Sequence, residues 1–268
     1  MAATTLSQAQ IWLPGGASPI KTISAGLNSP YAIFTSIINN IYIDNGATNN
    51  RIDKWINNAN SNVVEMYTNA SCYDLFTDTY DNLYCSINNL HVVIKKAFSS
   101  DAFISTIVAG TGMNGSDLYA LNGPRGIFVD TKFNLYVADC GNNRIQIFQS
   151  GQLNGSTALS NLPGENLSLS CPSAVVLDGN GYLFITDYDN HRIIATGPNG
   201  IQCIVGCSGS VGSAANELYH PRSLSFDNTG NIYVADIGNQ RIQMFALATN
   251  SCCKIRQIGL FYRRNFSF

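Results

Sequence analysis

One pattern returns along this chain often enough to dictate its architecture. Residues 121–148 read LNGPRGIFVDTKFNLYVADCGNNRIQIF, residues 169–194 read LSCPSAVVLDGNGYLFITDYDNHRII, and residues 218–245 read LYHPRSLSFDNTGNIYVADIGNQRIQMF. Their prolines, Pro124, Pro172 and Pro221, stand 48 and 49 residues apart. A looser copy begins LNSP at Leu27 and continues NIYIDNGATNNRIDKW, and a degenerate one runs from Cys72 to Lys96. Self-similarity at such a period means that each unit is one supersecondary module, which buries its apolar surface against its neighbours.

The pattern inside a unit says what that module is. After the proline comes an apolar run, Gly126-Ile127-Phe128-Val129, which ends at Asp130 and a turn. The next run, Leu135-Tyr136-Val137-Ala138, is apolar on both alternating faces, as a strand buried on both sides must be. A loop of the form Asp-x-x-Asn-x-Arg leads into Arg144-Ile145-Gln146-Ile147-Phe148, whose alternation predicts a half-exposed third strand. A fourth run, such as Phe103 to Val108, ends in a Gly-rich stretch before the next Leu-x-x-Pro. The 23 glycines and the recurring Asn pairs supply residues that tolerate positive φ, as many tight turns require. Four short strands per unit describe an all-β fold, a β-propeller built of four-stranded blades.

These residues resemble the NHL-repeat family, whose motif is occupied here by Asn143-Arg144-Ile145, Asn190-His191-Arg192-Ile193 and Asn239-Gln240-Arg241-Ile242. The resemblance covers nearly the whole chain and is strongest in the three later copies. It implies three classes of function: a protein-interaction platform, an RNA-binding surface, and a metal-dependent enzyme of the amidating-lyase or lactonase type. The pairs Asp139/Arg144, Asp187/Arg192 and Asp236/Arg241 recur with the repeat, which assigns them to architecture, the carboxylate tying down loop N–H groups or meeting the guanidinium.

Strand counting places the ring's closure. Ile11-Trp12-Leu13 and Pro19 to Ile23 read as a third and fourth strand, so the chain opens in mid-blade. After an expected fourth strand at Lys254 to Ile258, the residues from Phe261 to Phe268 match nothing in the repeat. The expectation is a six-bladed design with an incomplete or shared sixth blade, with a five-bladed ring as the alternative. The propeller is assigned to residues 9–259 and a non-repeat C-terminal tail to 260–268.

Composition narrows the function. Net charge is −2, and Arg263-Arg264 is the one dense basic spot, so the clustered cations that nucleic-acid binding demands are missing and no nucleic-acid partner is expected. No stretch approaches the ~20 apolar residues of a spanning helix. Residues 1–10 carry no basic and apolar leader, which taken literally means a cytoplasmic protein. Eight cysteines and N-x-S/T sequons at Asn69, Asn114, Asn154, Asn166 and Asn265 favour instead an extracellular or cell-surface protein, its signal lying upstream of this chain. Cysteine placement suggests Cys140–Cys171 across two blades, Cys203–Cys207 closing a short loop, and Cys72–Cys85 within one hairpin.

The chemistry-bearing residues are few. The three histidines, His91, His191 and His220, fall on different blades, with His191 away from the axis, so ordinary loop roles are expected rather than a shared zinc site, which needs converging ligands. No nucleophile–base pair appears, and the stretch from Gly206 to Gly212 lacks the lysine of a phosphate-binding loop. The position after the proline starts the innermost strand and should ring one channel mouth: Tyr31, Arg125, Ser173 and Arg222, with an equivalent near Tyr73. Two arginines there would bind an anionic group or an acidic side chain; the other reading pairs them with nearby loop carboxylates. The expectation is a non-enzymatic binding module without a cofactor, recognising a protein partner whose identity the residues do not name.

Overall fold

The structure, a computed structural model, describes residues 2–3, 7–11, 19, 21–24, 26–56, 61–99, 103–160, 167–247, 255–256 and 262–263. Each repeat folds as an antiparallel four-stranded sheet. Blade 1 comprises Ile33–Thr35, Ile41–Asp44, Arg51–Trp55 and Asn62–Tyr67, and blade 2 comprises Asp74–Thr77, Leu83–Ile87, Val92–Lys96 and Thr106–Gly110. Blade 3 comprises Pro124–Val129, Leu135–Asp139, Arg144–Phe148 and Ser156–Leu159; blade 4 comprises Pro172–Leu177, Leu183–Asp187, Arg192–Gly197 and Gly200–Val205. Blade 5 comprises Pro221–Phe226, Ile232–Asp236, Arg241–Leu247 and Ile255–Arg256.

The turn from first to second strand shows how the sequence builds a blade. Asp130 Oδ1 accepts the N–H groups of Lys132 (2.9 Å) and Asn134 (2.8 Å), while its Oδ2 accepts the Asn134 side-chain amide (2.9 Å). One carboxylate thereby reverses the chain. Asp78, Asp178 and Asp227 do the same in blades 2, 4 and 5. The residue before the last turn position is left-handed each time, at Asp81, Phe133, Gly181 and Gly230.

The second strands are sandwiched as their two apolar faces predict: Leu83–Ile87 and Leu183–Asp187 are buried throughout. Blade 5 departs from this, since Tyr233 and Ala235 of Ile232–Asp236 are half-buried. The third strand corrects the alternation reading. Arg144, Ile145, Gln146 and Phe148 are all buried, because the fourth strand and the neighbouring loops cover the face expected to meet water.

Among the described residues five complete blades form, the count given by the five-bladed alternative. The N-terminal residues make a three-stranded sheet, Ala2–Ala3, Gln8–Ile11 and Lys21–Ile23, in line with an opening in mid-blade. Its Ala9 and Ile23 pack with Leu27, Ile41, Ile43 and Trp55 of blade 1 and its approach. Tyr262–Arg263 pairs with the third strand of blade 5, at Ile242 and Arg241. A sixth four-stranded blade does not form among the described residues, since none of them supplies an innermost strand to the N-terminal sheet.

All three expected disulfides are present: Cys72–Cys85, Cys140–Cys171 and Cys203–Cys207. The second links the loop after Asp139 in blade 3 to the approach to blade 4. Asn69, Asn114 and Asn154 are exposed in connecting segments, while Asn166, Asn265, Cys252 and Cys253 lie outside the described residues. Among the described residues no helix is long and apolar enough to cross a membrane.

Candidate functional site: the mouth of the central channel

The mouth is shaped by loops that the repeat itself holds in place. In blade 3, Asp139 accepts the Asn122 N–H (2.7 Å) and the Arg144 Nε–H (2.7 Å). Arg144 then donates to the carbonyls of Ser116 (2.7 Å), Asp117 (3.0 Å) and Ala120 (3.0 Å). Blade 5 repeats this with Asp236, Arg241 and the carbonyls of Ser213, Ala214 and Glu217. Each pair pins the Gly-rich loop that leads into its blade. The recurrent charges are therefore architectural.

The histidines share a second structural slot. His91, Asn143 and His191 are all left-handed, with φ of 55°, 52° and 54°, and each side chain accepts an N–H from the loop leading into the next blade. The donors are Gly123 to His91 Nδ1 (3.0 Å), Cys171 to Asn143 Oδ1 (2.8 Å) and His220 to His191 Nδ1 (3.2 Å). The repeat's variable slot is thus a strut between blades, which the residue spacing alone did not reveal. The structure also corrects the picture of three separated histidines. His191 and His220 come from adjacent blades, yet their rings are 4.6 Å apart, with Tyr188 stacked on His220 at 4.7 Å. Burial, and then the nearby His220, lower the pKa of His191 and favour its neutral form. Among the described residues no three His, Cys, Asp or Glu side chains are grouped to hold a metal ion.

The first strands line an open central cavity of about 690 Å³, which also reaches Gln10 of the N-terminal sheet and Tyr233, Ala235 and Ile242 of blade 5. Its wall is uneven. Equivalent positions are Phe34, Phe76 and Phe128 in blades 1 to 3, with neighbouring rings 4.9 and 5.0 Å apart, but Val176 and Ser225 in blades 4 and 5.

At the mouth the structure separates the four predicted residues. Tyr31 is 38% exposed, and its ring carries the Arg222 guanidinium at 3.9 Å. Arg222 also lies 4.7 Å from the Tyr73 ring and donates through Nη2 to the carbonyls of Tyr31 (3.2 Å) and Tyr73 (3.4 Å). Ser173 is buried and its hydroxyl donates to the Pro221 carbonyl (3.0 Å), so that group is spent within the ring. Arg125 sits between the rings of Tyr73 (5.3 Å) and Tyr188 (4.7 Å). Its Nε and Nη1 are buried with no hydrogen-bond acceptor among the described residues. Neither arginine has a carboxylate oxygen within 4.0 Å among those residues, so the carboxylate-pairing reading gives way to tyrosine stacking.

Tyr31, Arg222, Tyr73, Arg125, Tyr188 and His220 thus follow one another as stacked rings and cations drawn from all five blades. Burial raises the Tyr73 pKa against the pull of the two arginines, which keeps the phenol protonated. Burial also lifts the Asp74 carboxyl to about 6, although it accepts the Ile127 and Leu75 N–H groups. Tyr188 and His220 were not singled out for the mouth by sequence. Their approach depends on blades 4 and 5 meeting in the ring.

Comparison with known proteins agrees with this architecture. The NHL repeat model matches residues 121–148 and 218–245. NHL repeat-containing protein 3 of Homo sapiens is 29% identical over 136 residues, spanning 50% of this chain and 38% of that protein. A streptogramin B lyase structure superposes with a TM-score of 0.62 at 16% identity, covering 88% of this chain and 71% of the other. A chain of a nidogen/laminin complex superposes with a TM-score of 0.65 at 15% identity, covering 85% and 80%. At those identities the two structures speak for the fold. With the repeat model matched in two blades and the same strand pattern built five times among the described residues, this chain carries NHL repeats within a β-propeller.

Proposed function

We propose that the protein is a non-enzymatic interaction module of the extracellular space or cell surface, binding a protein partner through the loop face around the channel mouth. The observation that carries this is the division of labour between repeated and unrepeated residues. Asp139, Arg144 and their counterparts are consumed in holding loops, and His91, Asn143 and His191 in bracing blades. Tyr31, Tyr73, Arg125, Ser173 and Arg222 occupy one slot with tyrosine, arginine or serine according to the blade, and all but the buried Ser173 sit on a rim braced from behind. A braced surface of unlike side chains suits recognition, because little ordering entropy is lost on binding. Three disulfides support an oxidising compartment.

The nidogen/laminin complex is a propeller assembly with a protein partner, which favours this reading; the lyase structures keep an enzyme as the second one. A lyase using histidine-bound metal would need histidines, and here His91 and His191 hold backbone N–H groups through Nδ1 while His220 stacks on Tyr188. The test is to screen the full chain against displayed extracellular domains and to map any binder by hydrogen exchange. Protection at residues 123–125, 188–191 and 219–222 supports the proposal. Protection confined to the opposite turns at 36–39, 78–81 and 130–133 overturns it.

A further inference from the structure

We infer that Arg125 is the anion-recognising residue of the mouth and takes one carboxylate of an acidic peptide segment, whereas Arg222, in the matching slot of another blade, is a structural clasp. This rests on the interaction-module reading and adds its ligand chemistry.

The two arginines differ in what their N–H groups do. Arg222 donates to two carbonyls on two other blades. Arg125 has both ring-facing sides occupied, by Tyr73 and Tyr188, while Nε and Nη1 are buried without an acceptor among the described residues. Ring faces attract a cation but do not accept its in-plane N–H groups with the strength of a carboxylate. A buried donor left unmade is costly, and such groups in folded proteins call for a missing partner.

The nearby acids do not fill that place. Asp74 is directed to the Ile127 and Leu75 N–H groups, and Asp189 is half exposed and lies 4.0 Å from the His220 ring. His191 and His220 flank Tyr188 from the far side, the former neutral and bound to backbone.

The geometry selects a carboxylate over a phosphate. One free guanidinium neutralises one charge, and a dianion would need a second cation with free donors, which Arg222 does not offer. Phe34, Phe76 and Phe128 line one side of the cavity below Tyr31, Tyr73 and Arg222, so a residue that enters it from the segment held at Arg125 should be apolar. The ligand is therefore an extended segment pairing Asp or Glu with an apolar or aromatic neighbour.

Calorimetry of the full chain with the blocked peptide acetyl-Gly-Phe-Asp-Phe-Gly-amide tests this, with the Asn peptide, sodium phosphate and sodium sulfate as parallel arms. Saturable binding of the Asp peptide is expected, weakened at least about tenfold by the Asp-to-Asn change or by Arg125→Met. Arg125→Lys keeps the charge without the planar fork and should fall between. Thermal melting of each variant shows whether it is folded; Arg125→Met should melt near the parent chain and Arg222→Met well below it. The inference fails if Arg125→Met binds the Asp peptide like the parent, if Asp and Asn peptides bind alike, if phosphate or sulfate binds more tightly, or if no saturation occurs up to about 10 mM. A protein partner still mapped to the loop face after such a failure would leave the interaction module standing and remove only its ligand chemistry.

Discussion

The guanidinium of Arg222 lies 3.9 Å from the ring centre of Tyr31 and donates to the Tyr31 carbonyl, joining residues 191 positions apart in the chain. Blade 5 is thereby tied to blade 1 across the mouth, and to blade 2 through the Tyr73 carbonyl. Among the described residues neither backbone pairing nor a disulfide links the first strands of blades 1 and 5. Arg222→Met should cost about 1–3 kcal/mol, from two charged hydrogen bonds and a partly exposed cation–π contact. Urea unfolding measures the loss, and an unchanged midpoint would show that the ring closes without the clasp.

The repeated Asp–Arg pairs are predicted to be unequal. Arg144 holds three loop carbonyls from a buried position, and Arg192 holds the Ser168 carbonyl among the described residues from a side chain that is somewhat more exposed. Removing one member of a buried pair strands the other, so Arg144→Ala should cost about 3–5 kcal/mol. Arg192→Ala should cost roughly half that. Equal losses would mean that the difference in exposure does not change what the pair contributes.

Six of the eight cysteines are paired in the described residues. Denatured, unreduced protein should therefore titrate with no more than two free thiols. Reduction should destabilise the chain chiefly through Cys72–Cys85 and Cys140–Cys171, which close loops of 13 and 31 residues against 4 for Cys203–Cys207. Cys140→Ser with Cys171→Ser should cost about 2–4 kcal/mol, read from urea midpoints.

Stability should fall as pH rises from about 4 to about 7. Burial raises the carboxyl of Asp74 to about 6 and that of Asp44 to about 7. A carboxyl with a raised folded pKa keeps its proton in the folded chain after the unfolded chain has lost it. Its contribution is full below the unfolded value near 3.9 and is lost as pH rises through the folded value. Urea midpoints across this range should decline, and Asp44→Asn should flatten the decline. A rise with pH in the parent chain would contradict the assignment.

Much of the fold was legible because the repeat states its strands in order, with Asp130-type turns and two-faced apolar second strands that follow from local chemistry. The cysteine pairs followed from the same register, once loops were assigned to one face. The third strand was misread because alternation along Arg144–Phe148 is a local signal, whereas burial there comes from the fourth strand and from loops of the preceding segment. The histidines were read as separate because separation in sequence is not separation in a ring: His191 and His220 meet where one blade ends and the next begins.

The candidate site divides the same way. Sequence by itself determined that Tyr31, Arg125, Ser173 and Arg222 share a slot at the start of the innermost strands, since a strict repeat carries equivalent residues to equivalent places. Tertiary structure alone decided what each one does there. Arg222 finds backbone carbonyls across the closing ring, Ser173 finds the Pro221 carbonyl, and Arg125 finds ring faces but, among the described residues, no acceptor for its buried Nε and Nη1. The repeat sets a residue's position relative to its own blade, but its partners come from other blades, and those are chosen by how the ring closes.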